Sequence, residues 1–411
     1  MTDSPSHPAP DSPGAPIGFV EFVLLVAALM ALAALGIDSM LPALPAIGDS
    51  LNVRDANARQ FVITAFLIGF GVAQLAHGPL ADRFGRRRVL ICALVGYVIA
   101  NALAAVAGSF TLLLAARVCG GAAVAATRVA TVALVRDCYQ GRAMAKVMSI
   151  AFMVFMVVPV LAPAFGEFML IFGRWRVIFW AIAGLAALVL AWFAIRMPET
   201  LAPERRLAIA PGRIARGWWQ TVSDRLSLGY TLASTALMGA LYGYLNSVQQ
   251  IMAETFGRPA LLALVFATTA ATMAVANLLN SQIVMRLGTR LISHGAVTAL
   301  ILLSAIHLAV VWTGHETLWA FGVLQGLTMA CFGLATSNFS AMAMENMGGI
   351  AGTASSVQGF TSITFGSVIG ALIGQAFDGT PVPLIAGFLV AGLIAFGLVF
   401  VTERGHVFRR G

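Results

Sequence analysis

Apolar runs of about twenty residues or more follow one another along this chain, broken only by short clusters of charged and turn-forming residues. A helix of that length crosses the hydrocarbon core of a bilayer, where every backbone N–H and C=O must be satisfied within the segment itself. Twelve such runs can be delimited, at roughly 18–41, 59–80, 88–108, 110–135, 144–171, 177–196, 227–250, 260–285, 290–312, 317–342, 350–376 and 382–402. They use up most of the 411 residues, and only 10% of the chain is charged, against roughly 25% in a soluble domain. A soluble globular enzyme, a disordered chain and a fibrous repeat are thereby excluded. The expected fold class is an all-α membrane protein of twelve transmembrane helices.

The basic residues orient the spans, because cytoplasmic loops are enriched in Lys and Arg. With the N-terminus inside, 18 of the 25 fall on inner loops and the C-terminal tail and five on the outer side, while Arg117 and Arg128 lie within the fourth span. Both termini are expected in the cytoplasm. The same spread over every inner loop argues against nucleic acid as a partner, despite the net charge of +8. Residues 1–17 contain no Lys or Arg and read as a disordered cytoplasmic tail rather than a secretory signal. Cys92, Cys119, Cys138 and Cys331 lie in or at the end of apolar runs without metal-binding spacing and read as small core hydrophobes. No cofactor, metal site or catalytic constellation is expected.

One long connection, 198–226, is expected as a cytoplasmic loop between an N-terminal six-helix bundle at 18–197 and a C-terminal one at 227–404, with a short tail at 405–411. The halves echo each other. Arg83-Phe84-Gly85-Arg86 follows the second span and Arg286-Leu287-Gly288-Thr289-Arg290 follows the eighth, with the two glycines 203 residues apart (288 − 85). Pseudo-symmetric bundles with a cavity at the membrane midplane are a transporter plan.

The most specific string is Gly78-Pro79-Leu80-Ala81-Asp82-Arg83-Phe84-Gly85-Arg86-Arg87-Arg88. Physically it is a tight turn in which Gly85 permits the backbone reversal and Asp82 sits at a helix end beside several arginines. It matches the G-x-x-x-D-R-x-G-R-R pattern, and the chain here resembles the major facilitator superfamily. That resemblance implies a cytoplasmic gate, in which Gly78, Asp82, Arg83, Gly85 and Arg86 latch the two halves and release during the transport cycle. A basic loop that only sets topology is the alternative.

Arg117, in Leu114-Ala115-Ala116-Arg117-Val118-Cys119-Gly120-Gly121, lies well inside the fourth span, where a charge costs roughly 2.5–3.5 kcal/mol on insertion scales. The segment resembles a second family motif, whose arginine serves proton coupling, with Gly120 in place of the usual glutamine. An intramembrane carboxylate is the expected partner, and Asp38 in Gly36-Ile37-Asp38-Ser39-Met40-Leu41-Pro42 is placed to be it, about one turn from the outer end of span one. This stretch is similar to the bicyclomycin and chloramphenicol resistance (Bcr/CflA) group of drug/proton antiporters. Arg136-Asp137, Pro198-Glu199-Thr200-Leu201 and Ala351-Gly352-Thr353-Ala354-Ser355-Ser356 resemble the same group. In span five, Pro159, Pro163 and Gly166 read as a packing surface and hinge similar to an antiporter motif. Glu167, where the motif has a small residue, is a possible second acid or a side chain that simply reaches outer water.

Arg128 follows Arg117 by 11 residues, about 16 Å further along and on nearly the same face. With Tyr242, Asn246, Asn277, Gln325 and Gln358 it makes a possible substrate cavity, although each is equally suited to interhelical hydrogen bonding. The resemblance implies a monomeric transporter of the bacterial inner membrane that exports small amphipathic drugs in exchange for protons, with the lipid bilayer, the solute and protons as partners. A proton-coupled importer of the same fold and a non-transporting membrane receptor are the alternatives.

Overall fold

A computed structural model describes residues 15–206 and 210–408, and within them the chain is helical from end to end. The helices are α1 (Phe19–Asp38), α2 (Leu44–Ser50), α3 (Phe61–Phe84), α4 (Arg86–Ala105), α5 (Phe110–Cys138), α6 (Gly141–Ile171), α7 (Arg176–Arg196), α8 (Pro211–Ser223), α9 (Arg225–Gln250), α10 (Leu262–Leu287), α11 (Thr289–Trp312), α12 (Leu318–Ala343), α13 (Ala351–Gln375) and α14 (Val382–Thr402). Among the described residues, ten helical segments are long and apolar enough to cross a membrane. The two remaining long helices are α6 and α9. In α9 the composition has a physical reason: it buries residues on every side, including Tyr242, Tyr244, Asn246, Gln249 and Gln250. A helix enclosed by other helices need not be as apolar as one that faces lipid.

Helices α3, α4 and α5 pack together, with α1, α6 and α7 against them; α9, α12, α13 and α14 form a second group with α10 and α11. The groups meet mainly along α3–α13 and α6–α10. Close approach depends on glycine. A Cβ on Gly69 would overlap the Val118 carbonyl, and one on Gly121 would overlap that of Phe66, so α3 and α5 touch backbone to backbone. Gly121→Ala is therefore expected to cost about 1–3 kcal/mol by forcing these helices apart. Gly120→Ala, whose added methyl meets only ordinary contacts, serves as control. Thermal unfolding of the two variants in detergent checks this; equal melting temperatures would refute it.

Two elements differ from the sequence expectation. The connection 198–226 is not simply a loop, since α8 forms within it and packs on α13, with Gly217 against Thr353. Its periodic Ile214, Gly217, Trp218 and Thr221 supply the packed side. At the other end of the bundle, span one does not stop just beyond Asp38. Pro42 and Pro45 interrupt it, and the chain continues through a 3₁₀ turn and α2 to Ser50. A proline removes a backbone donor and clashes with the preceding turn, which is why α1 ends at Asp38 with protein still around it.

Candidate functional site

Asp38 is buried, 6% exposed, and accepts no hydrogen bond and forms no ion pair among the described residues. Across the boundary between the helix groups it lies within electrostatic reach of Tyr242 and Tyr244 in α9. Arg128 also acts on Tyr242. This arginine is exposed although it lies ten residues inside the end of α5 (138 − 128). Asp38 and Arg128, from one group of helices, are thus both within electrostatic reach of Tyr242 of the other.

The expected Asp38–Arg117 ion pair is not formed. Arg117 Nη2 donates to the Gly36 carbonyl at 2.8 Å and Nε to that of Val62 at 3.0 Å. Its guanidinium lies 4.3 Å from the Phe66 ring centroid and 5.8 Å from that of Phe179. The reason is local. The break at Pro42 leaves the last turn of α1 with free carbonyls, and Arg117 fills one of these vacancies while Asp38, two residues on, points elsewhere. Arg117→Ala should leave the Gly36 carbonyl unanswered and a hole between two rings. A loss of about 3–5 kcal/mol is expected, read as a fall in melting temperature.

At the end of the bundle that carries the charged loops, three of the sequence strings meet. Arg86, 3% exposed, donates from Nη1 to Asp82 at 2.7 Å and from Nε to Asp137 at 3.2 Å. Thr200 Oγ1 donates to the same Asp137 oxygen. Glu199 accepts the backbone N–H of Arg86 at 2.8 Å and lies over Gly85, whose φ of +96° and lack of a Cβ make room for it. Arg87 donates to the carbonyls of Met197 and Ala194. Among the described residues the partners of Asp82 and Arg86 belong to α3, α4, α5 and the segment after α7, so the expected latch between halves is not formed in this conformation; at this end Gly78 of α3 lies next to Ser356 of α13. Arg83 joins none of these pairs.

A second cluster of the same plan, missed from the sequence, lies in the other half. Arg290 bonds Glu345 at 3.0 Å and Glu403 at 2.9 Å, and the Tyr230 hydroxyl donates to Glu403 at 2.6 Å. Arg290 follows Arg86, and Glu403 follows Glu199, by 204 residues (290 − 86; 403 − 199). That common offset was the available signal. Burial by itself would raise the Glu403 carboxyl, but the hydrogen bonds from Tyr230 and Arg290 and the Arg290 charge outweigh it and hold it below its ordinary value. Its contribution to stability is therefore present above the ordinary carboxylate range and lost as the pH falls through the folded value.

The opposite end of the bundle is closed by amides. Asn57 Nδ2 donates to the carbonyls of Gln375 at 3.1 Å and Phe377 at 3.0 Å, and Gln250 Nε2 donates to Asn57 Oδ1 at 2.8 Å. Gln60 donates to Gln250 Oε1 and to the Gly374 carbonyl. Deeper in, Asn246 donates to Thr64 Oγ1 at 3.5 Å, so Asn246 belongs to this seam. Glu167 lies beside Ala263 in the first turn of α10, a favourable place for a carboxylate because helix amides are unpaired there. Gly166 abuts the Ser39 carbonyl and Pro42, and Pro159 and Pro163 lie within an uninterrupted α6.

The remaining cavity candidates divide. Gln325 is buried with its Nε2 unpartnered, and Asn277 leaves its Oδ1 unpartnered beside Gly333. Gln358 instead donates to Ser227 Oγ at 3.5 Å and the Ala343 carbonyl at 3.1 Å, tying helices together near the charged end.

A family model described as Major Facilitator Superfamily matches residues 26–371. The chain belongs to this superfamily. It is a multi-pass membrane transporter, and its relatives include the group that the sequence strings resemble. It is 29% identical to the bicyclomycin resistance protein homolog of Haemophilus influenzae over 378 residues, covering 90% of this chain and 93% of that one. Identity to the uncharacterized MFS-type transporter YdgK of Bacillus subtilis is 28% over 372 residues, 88% and 91% of the two chains. The multidrug resistance protein MdtL of Escherichia coli is 30% identical over 224 residues, 54% and 56% of the chains. Among solved structures, the partially occluded inward open conformation of the xylose transporter XylE from E. coli shares the fold with a TM-score of 0.72 at 12% identity, over 94% of this chain and 99% of that one. The human organic anion transporter MFSD10 (TETRAN) does so with a TM-score of 0.64 at 19% identity, over 93% and 100%.

Proposed function

We propose that this protein is a proton-coupled exporter of small amphipathic drugs, a monomer in the bacterial inner membrane with both termini in the cytoplasm. Two six-helix halves, 18–197 and 227–404, rock about the cavity between them. The observation that carries this reading is Asp38: a buried carboxylate without a hydrogen bond or ion pair, at a helix break, facing the seam between the halves. Such a group changes protonation when a conformational change alters its solvation or its neighbours, which is what exchange of a proton for a solute requires. Arg117 acts as a positioning residue, fixing the end of α1 and so the place of Asp38. The Asp82 loop gates the cytoplasmic side, closing across the halves in the opposite state of the cycle, and Glu167 serves as a second acid at the outer seam. The names of the bicyclomycin and multidrug resistance relatives support drugs as the solutes.

The test is transport in proteoliposomes that enclose a pH-sensitive dye. Addition of drugs on one side is expected to drive protons the opposite way across the membrane. Solute and proton moving together would make the protein an importer, and solute movement without any proton response would remove the coupling altogether.

A further inference from the structure

Two charges lie within the proposed site that the fold leaves without a partner. Among the described residues Arg128 donates no hydrogen bond and forms no ion pair, although a guanidinium carries five N–H donors. It stands ten residues from the end of α5 (138 − 128), about 15 Å along the axis, too deep for its charge to be explained as a loop residue reaching for water. Asp38, more than nine-tenths buried, is equally unpartnered. Ionisable residues inside a membrane bundle pair with each other or mark a substrate route. These two do not pair with each other.

Their separation has a definite scale. The Arg117 guanidinium is level with the Gly36 carbonyl, one half-turn from Asp38, and Arg128 follows 11 residues later, about 16 Å further along α5. Asp38 lies beyond Gly36 on the side away from Arg128, so the charges stand on the order of 15–20 Å apart. Tyr242, buried on α9, is within reach of both fields.

Resting on the transport reading above, we infer that the substrate is an elongated zwitterion, whose cationic end meets Asp38 and whose anionic end is held by Arg128. A simple cation would satisfy Asp38 but leave Arg128 repelling it, and a simple anion would meet the reverse penalty. Specificity against both follows from the same two side chains. A small amino acid is too short, because its charges are adjacent, whereas a rigid drug-sized body fits the span. The layout also fits antiport: the cationic end and a proton compete for one carboxylate, while Arg128 holds the other end without taking part in the exchange.

The test uses norfloxacin, which carries an ammonium and a carboxylate at opposite ends of an aromatic body, with its ethyl ester as the cation-only analogue and its N-acetyl derivative as the anion-only one. Binding is measured on the purified full chain in detergent. Norfloxacin should bind at least tenfold more tightly than either analogue. Arg128→Gln should weaken norfloxacin and the N-acetyl derivative about tenfold and leave the ester within twofold, and Arg128→Lys should recover part of the loss. Asp38→Asn should weaken norfloxacin and the ester but spare the N-acetyl derivative. Equal binding of parent and ester, equal weakening of all three compounds by Arg128→Gln, or no binding of norfloxacin to the wild type would each overturn the inference. Proton flux in the liposome assay separates this from the wider reading. If other drugs still drive protons outward against the solute, antiport stands while the zwitterion assignment falls.

Discussion

Asp38→Asn is expected to reduce drug-dependent proton movement in proteoliposomes by at least about a hundredfold, to the level of empty vesicles, while downhill movement of the drug itself continues. An amide has nearly the volume of the carboxylate but cannot take up or release a proton. Protein stability should be about unchanged, since a buried carboxyl without a partner is replaced by an amide of nearly the same size and polarity. A melting temperature close to that of the wild type, together with lost proton flux, separates a coupling role from a structural one. If the variant still moves protons, Asp38 is not the coupling group, and Glu167→Gln becomes the decisive comparison.

Asn57→Ala should open the end of the bundle that the amides close. Three side-chain hydrogen bonds across the seam are lost, to Gln375, Phe377 and Gln250. At about 1 kcal/mol each, their removal shifts the equilibrium between the two end states by about two orders of magnitude. Spin labels at Arg174→Cys and Arg258→Cys, in a background without the four native cysteines, report this as a longer interlabel distance, because the two loops belong to opposite halves at that end. An unchanged distance distribution would mean that the amides do not hold the gate. The seam also differs in kind from the arginine–carboxylate clusters at the other end. Its amides carry no charge, so they are indifferent to pH, and Glu167 is a titratable group beside them, near residues of both halves.

Much of this architecture is legible in the sequence because the membrane imposes its demand on each segment separately. A span must be long and apolar whatever its neighbours are, so hydropathy located the helices to within a few residues. The same locality made Gly85 readable, since a reversal at positive φ needs glycine. The motif around Asp82 and the intramembrane position of Arg117, Arg128 and Asp38 were visible for a similar reason, a charge in an apolar run being conspicuous on its own. Helix α9 shows where local reading weakens: its polarity makes sense only once other helices enclose it.

Which side chain answers which is a property of the packing between segments far apart in the chain. Asp38 and Arg117 were natural partners by charge and depth, yet the proline break in span one offers Arg117 backbone carbonyls instead, and Asp38 is left free. Asn57 and Gln60 look like loop amides until Gln250, Gly374 and Gln375, about 190 to 320 residues away, close on them. The sequence by itself determined that this chain spans a membrane as helices, carries a repeated charged turn and holds charges within its spans. The tertiary structure decided which of those charges the fold neutralises and which it leaves without a partner, because neutralisation requires donor and acceptor to meet at about 3 Å in the right direction, and only the assembled bundle sets those distances.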